Sequence, residues 1–177
     1  MSESLPNCML PIAPASRCVE VTRILLLEDS PGEAELFCHA LVLAWALLES
    51  KSESPRPGID VHCTAQDALE ALKRQVASEA GLPDLIVLDM DLPGGTSLTF
   101  LRELRRDSRL TNLPVIAMAW TDDQAIVRSQ AGLGVVGYVI KPMLLADLVT
   151  IIGGVCREIL TETPRQDLEA VARRQPA

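Results

Sequence analysis

The chain has 177 residues, of which 48% are hydrophobic, 23% charged and only 3% aromatic, and its formal net charge is −8. The length predicts a single domain, and the apolar fraction excludes a chain that is disordered throughout. The acidic balance, without any run of Lys and Arg, argues against nucleic-acid binding, which requires a basic face.

Cysteine spacing and hydropathy narrow the class further. The five cysteines stand at 8, 18, 38, 63 and 156, form no CxxC pair and complete no zinc-site spacing with the two histidines. We therefore predict reduced, mostly buried thiols. The longest unbroken apolar stretch, Ala40–Leu48, is far too short to span a membrane, and the N-terminus lacks the pattern of a signal peptide. We expect a cytoplasmic protein with neither a membrane nor a nucleic acid as partner.

Short apolar runs alternate with segments of helical periodicity along most of the chain. The Pro- and Ser-containing residues 1–20 are predicted to form a flexible arm, 21–162 the domain and 163–177 a polar tail. Strands are predicted over Ile24–Leu27, Ile59–Thr64, Leu85–Leu88, Val115–Ala119 and Val135–Ile140. Helices are predicted over Glu33–Glu49, Ala65–Ser78, a segment opening at Thr96, Asp122–Ala131, and Leu144 to about Leu160.

Strict alternation of strand and helix predicts an α/β fold. Parallel strands need crossover connections, and the helices that provide them cover both faces of the sheet. The expected architecture is a five-stranded parallel sheet with helices on both faces. In such a sheet the functional site lies at the carboxyl ends of the strands, near the point where the strand order reverses.

Charged residues follow three of the predicted strands. Glu28 and Asp29 end the first strand, Asp89 ends the third, and Lys141 ends the fifth. Carboxylates that meet in one crevice repel each other, so a cation must offset them, and hard oxygen ligands suit Mg²⁺. A carboxylate can also attack phosphorus, while a lysine and a divalent cation stabilise the transferring phosphoryl group. The residues therefore predict Mg²⁺-dependent phosphoryl transfer onto an aspartate.

The sequence around these strand ends resembles the receiver domain of two-component response regulators, from about Val21 to Leu160. The resemblance rests on the stretches ILLLEDSPGEAEL, LIVLDMDLPGG and GYVIKP. It implies a flavodoxin-like, CheY-like doubly wound fold. It also implies that the strand-3 aspartate, Asp89, accepts a phosphoryl group from the phosphohistidine of a sensor histidine kinase.

The resemblance assigns roles to the other charged residues as well. Glu28, Asp29 and Asp89 would hold Mg²⁺, with the backbone carbonyl of Asp91 as a further ligand. Lys141 would contact the phosphoryl oxygens. A receiver of this kind catalyses only its own phosphorylation and dephosphorylation, so we do not expect an enzyme that acts on other substrates.

The residues at positions that respond to phosphorylation in the family match the family pattern only in part. Tyr138 matches the aromatic residue that turns inward on activation, and the Lys141–Pro142 bond is expected to be cis, as is frequent in the family. The family has Ser or Thr at the end of strand 4, whereas this chain has Ala119, which cannot donate a hydrogen bond. Thr121 is a weaker candidate to supply the missing hydroxyl, and strand switching is the step that this departure places in question.

The first and last helices carry more apolar residues than a sheet-covering helix needs. We expect helix 1 to dock a sensor kinase, unless the N-terminal arm covers it, and the last strand and helix to form a homodimer. Little chain follows the last helix, which indicates a single-domain receiver. The EDSPGEAEL opening and the long loop after helix 1 resemble the regulators that partner phytochrome-type kinases.

Other interpretations stay open from sequence alone. Taken singly, an acid at a strand end is usually a helix cap, a lone lysine is usually a surface residue, and a tyrosine in an apolar strand usually belongs to the core. Ala119 favours a pseudo-receiver that binds partners without phosphorylation. The Asp-x-Asp after the third strand is also used by haloacid dehalogenase-type phosphatases, although their nucleophile strand normally comes first.

Overall fold

The computed structural model describes residues 23–48, 57–78, 81–120 and 132–160. Four predictions lie outside these described residues. They are the arm at 1–20, the contribution of Thr121, the helix over Asp122–Ala131 and the tail at 163–177.

Five parallel strands form one sheet in the order β2-β1-β3-β4-β5. They are β1 (Arg23–Leu27), β2 (Gly58–His62), β3 (Leu85–Asp89), β4 (Val115–Ala119) and β5 (Val135–Ile140). The helices of the described residues are α1 (Pro31–Leu48), α2 (Ala65–Ser78), α3 (Thr96–Arg106) and α4 (Leu145–Leu160), with a 3₁₀ turn over Pro93–Gly95. The predicted α/β architecture is confirmed.

The sheet separates two hydrophobic clusters, as expected for helices on both faces. On one face, side chains of α1 and α4 pack with the residues of β1, β3, β4 and β5 that point to that side. On the other face, α2 and α3 pack against the alternate residues of β1 and β3. Because β1, β3 and β4 are covered on both sides, their sequences are continuous apolar runs.

The apolar excess of the first and last helices has an explanation within one chain. Both helices lie in the same cluster, so each buries one stripe against the sheet and a second stripe against its neighbour. Four apolar residues of the last helix are buried there, namely Leu148, Val149, Ile152 and Val155. On α1, by contrast, Leu36, Val42, Leu43 and Leu47 remain exposed.

Among the described residues, no helix is both long and apolar enough to span a bilayer. The cysteines among them are free and differ in burial: Cys156 is buried, Cys38 is half-buried and Cys63 is exposed. Burial raises the pKa of the Cys156 thiol to about 11. That thiol is therefore protonated and unreactive at neutral pH.

Arg105 connects α3 to the segments before β4 and β5. Its guanidinium donates hydrogen bonds to the carbonyls of Leu133 and Thr111, both at 2.7 Å, and to those of Leu113 and Gly134, both at 2.9 Å. We expect Arg105→Met to lower the free energy of unfolding by about 2 kcal/mol, because partly buried carbonyls lose a charged donor. Urea denaturation checks this, with the exposed Arg102→Met as the control. Equal stability of the two variants would contradict the assignment.

Candidate functional site

The charged residues predicted at the strand ends meet at the carboxyl edge of the sheet. β2 lies on one side of β1, whereas β3 and the later strands lie on the other side. The strand order therefore reverses at β1. Glu28 directly follows β1, Asp89 is the last residue of β3, and Lys141 directly follows β5. Glu28, Asp89 and Lys141 are 5%, 4% and 8% exposed, so their charges depend on one another for compensation.

Backbone hydrogen bonds fix these residues beyond the ends of the strands. The Glu28 N–H donates to the carbonyl of His62 at 3.0 Å, and the Lys141 N–H donates to the carbonyl of Ala119 at 2.7 Å. The first bond extends the β1–β2 pairing by one residue, and the second extends the β4–β5 pairing by one residue. Both bonds limit the movement of the Glu28 and Lys141 backbone from which the side chains project. The site is therefore built on the sheet rather than on a loose loop.

The Lys141 ammonium lies at the centre of the site. Its Nζ is 2.9 Å from Glu28 Oε2, 2.6 Å from Glu33 Oε2 and 3.0 Å from Asp89 Oδ1. An ammonium has three N–H donors, so these three carboxylates account for all of them. The ring of Trp120 also lies near this ammonium, with its centroid 5.6 Å from Nζ, within cation–π range.

Burial and pairing act in opposite directions on the pKa values of these groups. Burial raises the pKa of Glu28 above its usual range, although hydrogen bonds from Lys141 and from the Ser30 N–H act against this. Burial acts to lower the pKa of Lys141, but its hydrogen bonds to Glu33, Glu28 and Asp89 outweigh burial and raise it. The lysine is therefore a permanent cation at neutral pH.

Three carboxylates of the site are close enough to share one cation. Glu28, Asp29 and Asp89 each offer an oxygen, and these oxygens lie within 4.8 Å of one another. Asp29 is exposed whereas Glu28 and Asp89 are buried, so the cluster is open to solvent on one side. An oxygen-only donor set with one open side fits Mg²⁺, which keeps several of its waters.

Asp89 is held by contacts that leave part of its carboxylate available. Oδ1 accepts hydrogen bonds from Lys141 and from the Asp91 N–H, at 3.0 Å each. The buried Ser97 hydroxyl donates to the Asp89 carbonyl at 2.8 Å. Among the described residues, none donates a hydrogen bond to Asp89 Oδ2. This oxygen is therefore available for a metal or for attack on an electrophile.

Asp91 connects the loop after β3 to the end of β4. Its Oδ2 accepts a hydrogen bond from the Trp120 N–H at 2.9 Å. The Asp91 side chain thus has a structural partner at the end of β4.

The remaining sequence predictions have mixed outcomes. Ala119 is fully buried at the end of β4 and brings no hydroxyl to the site, and Tyr138 is half-buried in β5. The prediction of a cis bond between Lys141 and Pro142 is wrong, since the described residues contain no cis peptide. A trans bond is the lower-energy form of an X–Pro peptide, and the Lys141 N–H reaches Ala119 without the cis form.

Sequence reasoning missed three residues that contact the site. Ser97 gave no signal beyond that of an ordinary polar residue in the first turn of a helix. Trp120 was marked only by its position after Ala119. Glu33 had a signal, because Ser30-x-x-Glu33 is a capping-box pattern, but that pattern predicts a local contact rather than an ion pair with Lys141.

Comparisons with known proteins identify the family of the chain. The family model described as "Response regulator receiver domain" matches residues 45–153. Glu28, Asp29 and Glu33 lie outside that stretch, so this match does not bear on them. Among curated proteins, the chain is 28% identical over 137 residues to the phosphate regulon transcriptional regulatory protein PhoB of Escherichia coli, an alignment that covers 77% of this chain. It spans only 52% of PhoB.

The alignments with similar solved structures cover a larger share of those proteins than the alignment with PhoB does. The phosphorylated cyanobacterial phytochrome response regulator RcpA is 26% identical, with a TM-score of 0.66 and coverage of 81% of this chain and 96% of RcpA. The Mn²⁺-bound response regulator Rcp1 is 23% identical, with a TM-score of 0.63 and coverage of 81% of this chain and 97% of Rcp1. The likeness to Rcp1 shows the shared fold.

Proposed function

The chain belongs to the response regulator receiver domain family, and from this membership we propose that it is a phosphoryl-accepting receiver of a two-component system. Asp89 accepts the phosphoryl group from a phosphohistidine of a sensor histidine kinase. The observation that carries this proposal is the direct contact between Asp89 and Lys141, at 3.0 Å, beside the cluster of acidic residues.

The chemistry follows from the contacts of Asp89. A carboxylate oxygen of Asp89 attacks the phosphorus atom, the P–N bond to histidine breaks, and the imidazole nitrogen keeps the electron pair. The product is an acyl phosphate on Asp89. Lys141 is held beside the same carboxylate and neutralises charge on the phosphoryl oxygens as the bond forms. The chain then catalyses only its own phosphorylation and dephosphorylation.

The acidic cluster is the candidate site for Mg²⁺. Glu28, Asp29 and Asp89 would hold the ion, with the Asp91 carbonyl as a further ligand. When bound, Mg²⁺ offsets the repulsion between these carboxylates and the incoming phosphoryl group. Lys141 remains charged beside them, so the site has two cationic contributions.

Phosphorylation of the whole chain tests the proposal. Incubation with acetyl phosphate and Mg²⁺ should add the mass of one phosphoryl group, and a chelator should prevent the addition. Hydroxylamine should remove the group, because it cleaves acyl phosphates, and peptide mapping should place the modified residue at Asp89. A phosphate that resists hydroxylamine would contradict the assignment.

A pseudo-receiver that binds partners without phosphorylation is the second candidate, and Ala119 is the observation that favours it. It would be supported by a chain that gains no mass with acetyl phosphate or with a panel of sensor kinases. Family membership leaves the phosphatase interpretation without support.

Restoring a hydroxyl at position 119 should strengthen switching. In Ala119→Ser a phosphoryl oxygen gains a hydrogen-bond donor at the end of β4, which favours the displacement of that strand. Tyr138 is the only tyrosine of the chain, so its ¹⁹F resonance after fluorotyrosine labelling is an unambiguous probe. We expect a larger phosphorylation-induced shift in Ala119→Ser than in the native chain. Equal shifts would mean that position 119 does not limit switching.

We assign partners on the same basis. The exposed apolar residues Leu36, Leu43 and Leu47 of α1 favour docking of a sensor kinase on that helix, and the likeness to RcpA favours a phytochrome-type kinase. A homodimer would use β5, the exposed Leu144 directly before α4, and the exposed first residue of α4, Leu145. Phosphoryl transfer from the kinase would take place in the cytoplasm.

Light scattering at micromolar concentration tests the proposed homodimer, and a monomer at that concentration would contradict it.

A further inference from the structure

We propose that Glu33 is a positioning residue that withdraws the Lys141 ammonium from the phosphoryl group, so that it slows phosphorylation of Asp89. This inference rests on the proposed function. It concerns a residue that lies outside both the acidic cluster and the stretch matched by the receiver family model.

The Glu33 carboxylate does not play the capping role that its sequence position predicts. In a capping box, Glu33 would accept a hydrogen bond from the backbone N–H of Ser30. Here the Ser30 N–H donates instead to Glu28 Oε1 at 3.0 Å. The reciprocal half of the box is present, since the Glu33 N–H donates to Ser30 Oγ at 3.4 Å. The start of α1 is therefore capped without the Glu33 carboxylate.

The Glu33 carboxylate lies against the Lys141 ammonium instead. Glu33 Oε2 is 2.6 Å from Lys141 Nζ, nearer than the Glu28 and Asp89 oxygens at 2.9 and 3.0 Å. The Glu33 side chain is 33% exposed, whereas those of Glu28 and Asp89 are 6% and 4% exposed. The partner with the shortest contact is thus also the one that solvent can reach.

The three N–H donors of Lys141 are shared between Glu33 and two carboxylates of the acidic cluster. Glu28 and Asp89 belong to the acidic cluster and are needed by a cation there, whereas Glu33 is not part of it. Glu33 therefore still pairs with the Lys141 ammonium when Glu28 and Asp89 bind a cation. A phosphoryl oxygen on Asp89 must then share Lys141 with Glu33. Ala119 offers no hydroxyl in compensation.

Two measurable effects follow from this competition. Glu33→Gln keeps the shape of the side chain but removes its charge, so Lys141 is freed for the phosphoryl group and repulsion of an anionic donor falls. The rate of phosphorylation by acetyl phosphate at saturating Mg²⁺ should rise about fivefold. Lys141 also turns back toward Glu28 and Asp89 when no cation is bound, so the dissociation constant for Mg²⁺ should increase about fivefold.

Glu35→Gln is the matched control. It removes the same charge from the same turn of α1, and Glu35 is exposed and makes no contact with Lys141. We expect it to change either quantity less than twofold. Calorimetric titration with Mg²⁺ gives the dissociation constant without reference to phosphorylation, and thermal melting verifies that both variants are folded.

The outcomes separate this inference from the proposed function. A native chain that cannot be phosphorylated overturns both. A native chain that is phosphorylated, together with equal effects of Glu33→Gln and Glu35→Gln in either measurement, overturns the role of Glu33 alone. A slower Glu33→Gln variant also overturns it, because Glu33 would then support the action of Lys141 rather than oppose it.

Discussion

Replacing Lys141 with methionine should lower the free energy of unfolding by about 3–5 kcal/mol at neutral pH, because it removes the cation from a buried group of carboxylates. Lys141 contacts Glu28, Glu33 and Asp89, and two of these three acids are almost fully buried. Methionine has a similar length, so the packing volume is largely kept. The loss is therefore one of charge compensation rather than of shape.

The pH dependence of this loss identifies its origin. Burial already raises the pKa of Glu28 above its ordinary value of 4.5, and Lys141 opposes that rise. Without the lysine the pKa of Glu28 rises further, so the folded state binds more protons than the unfolded state above pH 4.5. The contribution of Glu28 to stability is then present below its unfolded pKa and is lost as the pH rises through its folded pKa. The deficit of Lys141→Met should accordingly shrink as the pH is lowered toward 4.5.

Urea denaturation at several pH values measures this effect, with Lys73→Met as the control, because Lys73 is an exposed lysine on α2. Added Mg²⁺ should restore part of the stability of Lys141→Met, since it supplies positive charge to the same carboxylates. A deficit that is independent of both pH and Mg²⁺ would mean that Lys141 stabilises the fold through packing alone.

The sheet could be predicted from sequence because burial on both faces leaves a continuous apolar signal. β4 and β5 have the predicted bounds, and β1 and β3 differ from theirs by one residue at one end. β2 is less well predicted, with Ile59–Thr64 expected and Gly58–His62 observed. It is an edge strand in which no residue is fully buried, so no continuous run of apolar residues marks its ends.

The starts of α1 and α2 show what a local motif can and cannot predict. Thr64 Oγ1 accepts a hydrogen bond from the Asp67 N–H at 3.1 Å and donates to Asp67 Oδ2 at 2.8 Å, so the cap of α2 closes within four residues. The start of that helix was predicted correctly. At α1 the same kind of pattern, Ser30-x-x-Glu33, does not close locally. The Ser30 N–H donates to Glu28, and Glu33 pairs with Lys141, which is 108 residues away in sequence. Local pattern analysis cannot detect such a contact.

In the site, too, features set by local sequence could be predicted, and features set by contacts between distant segments could not. Its buried charges could be predicted because each stands at the end of an apolar strand, and parallel strands bring their carboxyl ends to one edge. The third partner of Lys141, the Trp120 ring beside it and the trans form of the Lys141–Pro142 bond depend on how α1 and the loops pack around the sheet. These features became visible only in three dimensions.

Asp89→Asn should abolish phosphorylation, and it should do so without unfolding the chain. An amide oxygen is a poor nucleophile toward phosphorus, so acetyl phosphate and Mg²⁺ should produce no detectable gain in mass. The asparagine Oδ1 can still accept hydrogen bonds from Lys141 and from the Asp91 N–H, and Lys141 keeps its contacts with Glu28 and Glu33. The fold therefore loses one charge but no obligatory partner.

Asp91→Asn is the matched control, because it makes the same chemical change two residues away. The Asp91 side chain accepts a hydrogen bond from the Trp120 N–H, which asparagine preserves. The expected metal ligand at this residue is its backbone carbonyl, which the substitution leaves in place. Intact-mass measurement should find Asp91→Asn phosphorylated and Asp89→Asn not. Phosphorylation of both variants would place the acceptor elsewhere, and failure of both would show that the acidic loop after β3 acts as a unit, because Asp89 Oδ1 and Asp91 are joined by a hydrogen bond.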